Sequence, residues 1–401
     1  MPPSPLSRVL CTLLALALAL PGFAQTRQVS DAEVQRVHKS ALLIDTHNDV
    51  TSKTVEGFDI GKPSATGHTD LPRLRQGNVG AQFFAAYVSS SYVNGNRSAH
   101  RTLEMIDTIR HDIVERYPGD FTLALTAADI ERAHREGKIA ALIGIEGGHA
   151  IEDSLRPLRD YFALGVRYMT LTHVNTNGWA DSSGDIDKAG VAHHNGLTDF
   201  GKDVVHEMNR LGMMVDISHV ADKTFWDALE VSTAPVFASH SSCRALSNAP
   251  RNMTDDMIRA LAKKGGVIDI NFSCGFLSQK AASAETAIMP KLMAARNPED
   301  PALLAEYRKA VPPATLQDVV DHIDHVVKIA GIDAVGLGSD FDGIMCAPQD
   351  LDSVSKFPNL TRALLEKGYS PEDIRKIYGV NVLRVMRAVE GASGSSKKGA
   401  R

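Results

Sequence analysis

Residues 42–50 read LLIDTHNDV, and this stretch decides the fold. A short apolar run ends there in two potential metal ligands, His47 and Asp49. Residues i and i+2 of a strand point to the same face, so a strand ending here would place both side chains at one site. On its own an H-x-D is weak evidence and favours a polar strand cap, so its meaning depends on the rest of the chain.

Seven further short apolar runs follow, and most are bounded by glycine or turn residues, as strands buried on both faces are. With residues 41–45, the predicted strands are 80–87, 139–145, 168–171, 214–217, 236–239, 267–271 and 334–337. Amphipathic segments lie between them, with helices predicted at 155–164, 199–211, 254–264, 315–329 and from Ser370. Eight strands alternating with helices predict an α/β protein, a (β/α)8 TIM-like barrel. A doubly wound sheet is the alternative, but it would gather its ligand groups at one crevice.

Two connections are longer than a barrel requires. Residues 92–138 are predicted to be helical and to wrap the barrel. Residues 274–313 are alanine-rich and predict a lid over the active face.

A metal-ligating residue follows most of the runs. In chain order these residues are His47, Asp49, Glu146, His173, His219, His240 and Asp340. The C-terminal ends of barrel strands meet at one mouth, where such enzymes keep their chemistry, so the pattern predicts a metal site there. Imidazole and carboxylate ligands without cysteine suit catalytic zinc. The set exceeds the needs of one ion and predicts two, sharing a carboxylate and an acidified water.

Other polar residues are weaker candidates. His206, His322 and His325 fall inside predicted outer helices, where solvated or packed side chains are expected. His193 and His194 are expected on a surface loop, and His149 and Asp342 lie further from the strand ends. Arg251 follows the sixth run closely enough to reach the mouth.

The composition and the N-terminal segment limit the class of protein that this chain can be. The chain has 401 residues, with 43% hydrophobic and 23% charged residues and a net charge of −5. Acidic and basic residues are mixed, so nucleic acid is not an expected partner. Residues 1–24 resemble a secretory signal cleaved after Ala24, with an apolar region at 9–20 that is too short to span a bilayer. We expect a barrel at 25–390, a flexible polar tail at 391–401, and a periplasmic or secreted protein with no membrane span after cleavage.

Long ordered motifs resemble one known family. They include DTHND at 45–49, IEGGH at 145–149, LGVRYMTLTH at 164–173, NRLGMMVDISHV at 209–220, RNMTDD at 251–256 and GLGSDFDG at 336–343. The sequence resembles the membrane dipeptidase (renal dipeptidase) family of zinc peptidases, of the amidohydrolase superfamily. The resemblance implies a zinc dipeptidase that uses a dizinc-bridging hydroxide, accepts a C-terminal D-residue, and often forms a homodimer.

The resemblance also implies residue roles. His47 and Asp49 would bind the first zinc, Glu146 would bridge both ions, and His219 and His240 would bind the second. Asp340 would accept the proton of the water, and His173 and Arg251 would bind substrate and stabilise the oxyanion. Arg251 would alternatively hold the carboxylate of the dipeptide.

Alternatives remain open at this stage. The same site suits another amidohydrolase activity, such as an N-acyl-amino-acid deacylase or a lactam or lactone hydrolase. A third hypothesis is a non-catalytic binding or scaffold protein built on a barrel. It predicts that some of the metal-ligating residues would be missing. One disulfide is possible among Cys243, Cys274 and Cys346.

Overall fold

The computed structural model describes residues 28–294 and 301–396. Its centre is one parallel sheet, and the strands are β1 Leu43–Asn48, β2 Val79–Tyr87, β3 Phe121–Leu123, β4 Ile139–Glu146, β5 Val166–Thr170, β6 Met214–Asp216, β7 Phe237–Ser241, β8 Val267–Ile270 and β9 Val335–Leu337. Their order is β1-β2-β4-β5-β6-β7-β8-β9, and β3 pairs with β4 off this path. The sheet is a nearly closed eight-stranded barrel, which confirms the predicted fold class.

The barrel closes between its first and last strands, just beyond the end of β9. The Asp340 N–H donates to the His47 carbonyl at 3.1 Å, and the Asp49 N–H donates to the Phe341 carbonyl at 2.8 Å. Closure therefore brings three of the predicted site residues into one short seam.

Sixteen α-helices lie among the described residues. They are α1 Asp31–Ser40, α2 Val50–Thr54, α3 Leu71–Gln76, α4 Ser98–Thr108, α5 Ala127–Arg135, α6 Leu155–Ala163, α7 Asp199–Leu211, α8 Asp222–Val231, α9 Asp255–Lys263, α10 Cys274–Leu277, α11 Gln279–Ala294, α12 Pro301–Ala310, α13 Leu316–Ala330, α14 Phe357–Lys367, α15 Pro371–Arg375 and α16 Asn381–Ser396. Shorter 3-10 or π turns complete the connections, at Ser90–Val93, Ile109–Glu115, Gly148–Ile151, Ile332–Ala334, Val354–Lys356 and Lys376–Val380.

Local sequence explains where these helices start. Thr254 caps α9 by accepting the Met257 N–H. Thr315 and Asp318 form the predicted capping box of α13. Each cap satisfies backbone donors that would otherwise lack an intrahelical partner.

Apolar side chains from several strands pack against one another inside the barrel. One apolar cluster contains Ile44 of β1, Phe83 of β2, Leu142 of β4 and Phe237 of β7, all fully buried. Burying one such side chain contributes about 1.5–3 kcal/mol. This cluster gives the residues at the strand ends a rigid support.

Some segments differ from the sequence expectation. The connection 92–138 is helical only in part, because it also contains β3. Helix α16 continues to Ser396, into the expected polar tail at 391–401. The predicted signal at 1–24 and residues 397–401 lie outside the described residues. Within the described part of the chain, none of the helices has both the length and the apolar character needed to cross a membrane.

Candidate metal centre

The predicted ligands converge at the C-terminal ends of the barrel strands. His47 and His240 lie inside β1 and β7, and Glu146 is the last residue of β4. The others lie in the turns that follow the strands, namely Asp49, His173, His219 and Asp340.

Glu146 occupies the middle of the cluster. Its Oε1 lies 2.9 Å from His219 Nε2, 3.3 Å from His240 Nε2 and 3.7 Å from His173 Nε2. Its Oε2 lies 3.5 Å from His47 Nε2. One carboxylate therefore faces four imidazoles from four strands, as a group shared by two ions would.

A second group of ligand atoms lies beside the first. His47 Nε2 is 3.1 Å from Asp49 Oδ2, and Asp340 completes a triad whose ligand atoms lie within 4.8 Å of one another. The proximity of His47 and Asp49 was expected, but the strand argument for it was wrong. Asp49 lies beyond β1, with φ −97° and ψ 12°, as the N-cap of α2.

Several buried atoms fit a metal. Among the described residues, His47 Nε2 and Asp49 Oδ2 are buried without a hydrogen-bond partner. The Nε2 atoms of His219 and His240 approach to 2.9 Å. Unpartnered buried polar atoms and facing lone pairs cost free energy, and a cation among them would remove that cost. The nitrogen and oxygen donors suit zinc.

Supporting residues orient two of these imidazoles. Tyr168 O lies 2.7 Å from His47 Nδ1 and its hydroxyl donates to the Thr46 carbonyl, so His47 carries its proton on Nδ1. Ser239 Oγ lies 2.7 Å from His240 Nδ1 and donates its own proton to Asp216. Ser239 therefore accepts from His240, and His240 also carries its proton on Nδ1. Both Nε2 lone pairs then face the ligand cluster, a supporting arrangement common around protein-bound metals.

The sequence reasoning missed these supporting residues. A tyrosine in a buried apolar strand is a usable signal, because its hydroxyl needs a hydrogen-bond partner. Tyr168 had that signal.

Asp340 is held in a constrained turn. Its backbone has a φ of 59°, and its Oδ2 accepts from Asn271 Nδ2 at 2.8 Å. Gly343 lies so close that an added Cβ would overlap the carboxylate oxygens of Asp49 and Asp340. Burial raises the pKa of Asp340 well above its usual range, and the neighbouring Asp49 and Glu146 raise it further.

The other charges of the cluster are strongly coupled. Burial disfavours the ionised form of Glu146, but His47 and its neighbouring histidines hold the pKa of that carboxyl well below its usual range. Burial also opposes protonation of His47, yet Tyr168, Glu146 and Asp49 raise the pKa of that imidazole. Without a bound cation these pKa directions favour an ionised Glu146 and an added proton on His47 Nε2, the atom whose lone pair faces the cluster once that proton is displaced.

His173 and Arg251 border this cluster. Burial lowers the pKa of His173, and among the described residues its Nδ1 has no hydrogen-bond partner. Arg251 donates to Ser241 Oγ at 2.7 Å and to the His240 carbonyl at 2.6 Å. Burial lowers the pKa of Arg251 to about 10, so the guanidinium remains charged at neutral pH. A neutral imidazole and a guanidinium thus lie within reach of a ligand at the cluster.

The residues ranked lower in the sequence lie outside the ligand cluster, although Asp342 lines the cavity beside it. His193, His194 and His206 are exposed. His322 is buried in the core and His325 pairs with Asp255. His149 contacts the Val88 carbonyl through Nε2, and Asp342 pairs with Lys53.

A cavity of about 490 Å³ opens onto the cluster. Its outer wall includes Phe276 of α10, Glu285 and Met289 of α11, and Tyr307 of α12, so the predicted lid segment does face the site. The disulfide Cys274–Cys346 joins this lid to the loop after β9, whereas Cys243 is free and buried.

The chain is similar to several solved structures. The chain is 26% identical to the probable dipeptidase PvdM from Pseudomonas aeruginosa, with a TM-score of 0.76 over 90% of this chain and 98% of that one. It is 26% identical to a metallo peptidase from Rhodobacter sphaeroides, which was solved with a phosphinate mimic of the dipeptide L-Ala-D-Ala; the TM-score is 0.71 over 87% and 99%. The dipeptidase AC of family M19 gives 27% identity and a TM-score of 0.71 over 87% and 98%.

The family assignment rests on nearly the whole chain. Residues 31–399 match the model of the membrane dipeptidase family, peptidase family M19. This range contains every residue of the ligand cluster, and the resemblance seen in the sequence is confirmed. The chain therefore belongs to the membrane dipeptidase family, peptidase family M19, and is a metallo-dipeptidase.

Proposed function

We propose that this protein is an exported zinc dipeptidase with two metal ions per chain. The observation that carries the proposal is the Glu146 carboxylate, which faces His47 on one side and His219 and His240 on the other. In this proposal His47 and Asp49 would hold the first ion, His219 and His240 would hold the second, and Glu146 would contribute to both.

The metal ions and the protein divide the work of hydrolysis. When bound, the two zinc ions supply a Lewis acid for the scissile carbonyl and an acidified water as nucleophile. Asp340 is the proton acceptor, since its carboxylate lies within the ligand cluster and Asn271 fixes its orientation. The same group then returns the proton to the departing amine.

His173 and Arg251 act on the substrate. His173 lies 3.7 Å from Glu146 and offers a donor to an oxyanion that develops beside the ions. Arg251, fixed by Ser241 and the His240 carbonyl, adds positive charge to the same region.

Two finer parts of the proposal have separate support. A disulfide between helix α10 and the loop after β9 suits an oxidising compartment, which agrees with the export signal expected at 1–24. Acceptance of a C-terminal D-residue is supported by the similar Rhodobacter sphaeroides enzyme, which was solved with a mimic of L-Ala-D-Ala.

The decisive experiment combines metal analysis with a substrate panel. We expect close to two zinc ions per purified chain, loss of dipeptide hydrolysis on chelation, and recovery with added zinc. The panel pairs L,L- and L,D-dipeptides with N-acylated amino acids. A protein that binds no metal, or that hydrolyses only the acylated amino acids, would contradict the proposal.

A further inference from the structure

Five carboxylates line the metal cavity, and four of them have evident partners. Asp49, Glu146 and Asp340 belong to the ligand cluster, and Asp342 is paired with Lys53. The fifth is Glu285, which projects from helix α11 of the lid.

Glu285 is held in place, but it has no counter-ion among the described residues. Its Oε1 accepts a hydrogen bond from the Tyr307 hydroxyl at 2.5 Å, and its Oε2 lies against Gly275, where an added Cβ would overlap it. Across residues 28–294 and 301–396, no lysine, arginine or histidine forms an ion pair with this carboxylate. Burial raises the pKa of Glu285, while the Tyr307 and Gly275 hydrogen bonds oppose the rise. A positioned carboxylate without a cation is stabilised by any cation that enters the cavity.

The position of Glu285 narrows which substrate cation it can meet. The α-ammonium nitrogen of a dipeptide is two bonds from the scissile carbonyl carbon, so it must lie beside the metal ligands. The contacts of Glu285 are instead with Tyr307 and Gly275, on the lid side of the cavity. Glu285 is not part of the ligand groups, and a cation at the end of a substrate side chain extends away from the scissile bond, so it is the substrate cation suited to a carboxylate on the lid.

The surroundings of Glu285 also suit a long side chain. Phe276 and Met289 line the same wall. Lysine and arginine bury apolar stems and place their charge at the end, which matches an apolar wall that ends in a carboxylate.

From this arrangement we infer that Glu285 is a specificity residue that selects dipeptides carrying a lysine or arginine side chain. The inference rests on the proposed dipeptidase function and names a substrate class within it.

The test compares substrates that differ by one charge. Ala-Lys is paired with Ala-norleucine, and Lys-Ala with norleucine-Ala, for the wild type, Glu285→Gln and a control. The control is Glu306→Gln, which removes the same charge from the exposed face of α12, where Glu306 pairs with Lys291. We expect the wild type to favour the lysine member of at least one pair about tenfold in kcat/KM, mainly through KM. Glu285→Gln should lose this preference and keep its rate on the neutral peptides, and Glu306→Gln should behave as the wild type.

Two results would overturn the inference. One is a wild type without preference for lysine in either pair, and the other is a preference that survives in Glu285→Gln. Calorimetric binding of the same four peptides separates this inference from the function itself. If no peptide were hydrolysed, the dipeptidase proposal would fail, and the loss or survival of lysine-selective binding in Glu285→Gln would still decide the role of Glu285.

Discussion

Replacing Tyr168 by phenylalanine should weaken metal binding without removing a ligand. The hydroxyl lies 2.7 Å from His47 Nδ1 and 3.2 Å from the Thr46 carbonyl, inside the barrel. In Tyr168→Phe the Nδ1–H of His47 is buried without a partner, or the imidazole changes tautomer and turns its lone pair away from the cluster.

The expected loss of metal affinity follows from the hydrogen bond that His47 Nδ1 loses in Tyr168→Phe. Leaving one buried donor unsatisfied costs about 1–3 kcal/mol. Supporting groups of this kind typically change metal affinity by about 10–100-fold, which is consistent with that range. Packing should change little, because phenylalanine keeps the ring contacts with Phe83 and Phe237, whose centroids lie 5.3 and 5.4 Å away.

Chelator competition, with zinc content measured by mass spectrometry, is the suitable assay. Tyr161→Phe is the matched control, because it also removes a buried hydroxyl, which donates to the Ala150 carbonyl at 2.8 Å. We expect weaker binding of at least one ion in Tyr168→Phe and unchanged binding in the control. Equal zinc affinity in both variants would refute the argument that Tyr168 sets the tautomer of His47.

Three further predictions address catalysis and pH. Asp340→Asn should retain zinc and lose about 10²–10⁴-fold in kcat, since a proton acceptor is removed; near-normal turnover in steady-state assays would exclude this role. Metal affinity should decrease as the pH falls, because the raised pKa of His47 means that a binding ion must displace a proton. Calorimetry in buffers of different ionisation enthalpy measures this proton release, and an affinity that does not change with pH would argue against the displacement of a proton. Burial lowers the pKa of His322 from 6.5 to about 4, so the folded state binds fewer protons than the unfolded state between these two pH values. The free energy of unfolding should therefore decrease by on the order of 3 kcal/mol as the pH falls from 6.5 to about 4. Urea unfolding should show this slope in the wild type and a flatter profile in His322→Gln; identical profiles would rule out His322 as its source.

The barrel was readable from the sequence because its strands are strong local signals. Runs such as 139–145 are continuously apolar and bounded by turn residues, and the structure places β4 at Ile139–Glu146. Strand β3, Phe121–Leu123, was missed because it lies within the connection 92–138 that was predicted to be helical. Its pairing depends on a neighbouring strand and not on local sequence.

The members of the ligand cluster could be predicted because they follow strands with strong local signals. The geometry of the cluster could not be predicted. Strand order brings Glu146 and His219 together once a barrel is assumed. The left-handed backbone of His219 and Asp340, with φ of 68° and 59°, is set by tertiary contacts. The pairing of Cys274 with Cys346 also depends on which loops meet over the mouth.

The seam of the barrel has a consequence for biosynthesis. Asp45 accepts a hydrogen bond from Ser339, 294 residues later, and the same seam joins His47 to Asp340. A nascent chain that has not yet delivered β9 cannot complete the triad of His47, Asp49 and Asp340. The first metal pocket is therefore among the last parts of the molecule to form, and metal loading should follow release from the ribosome and closure of the barrel.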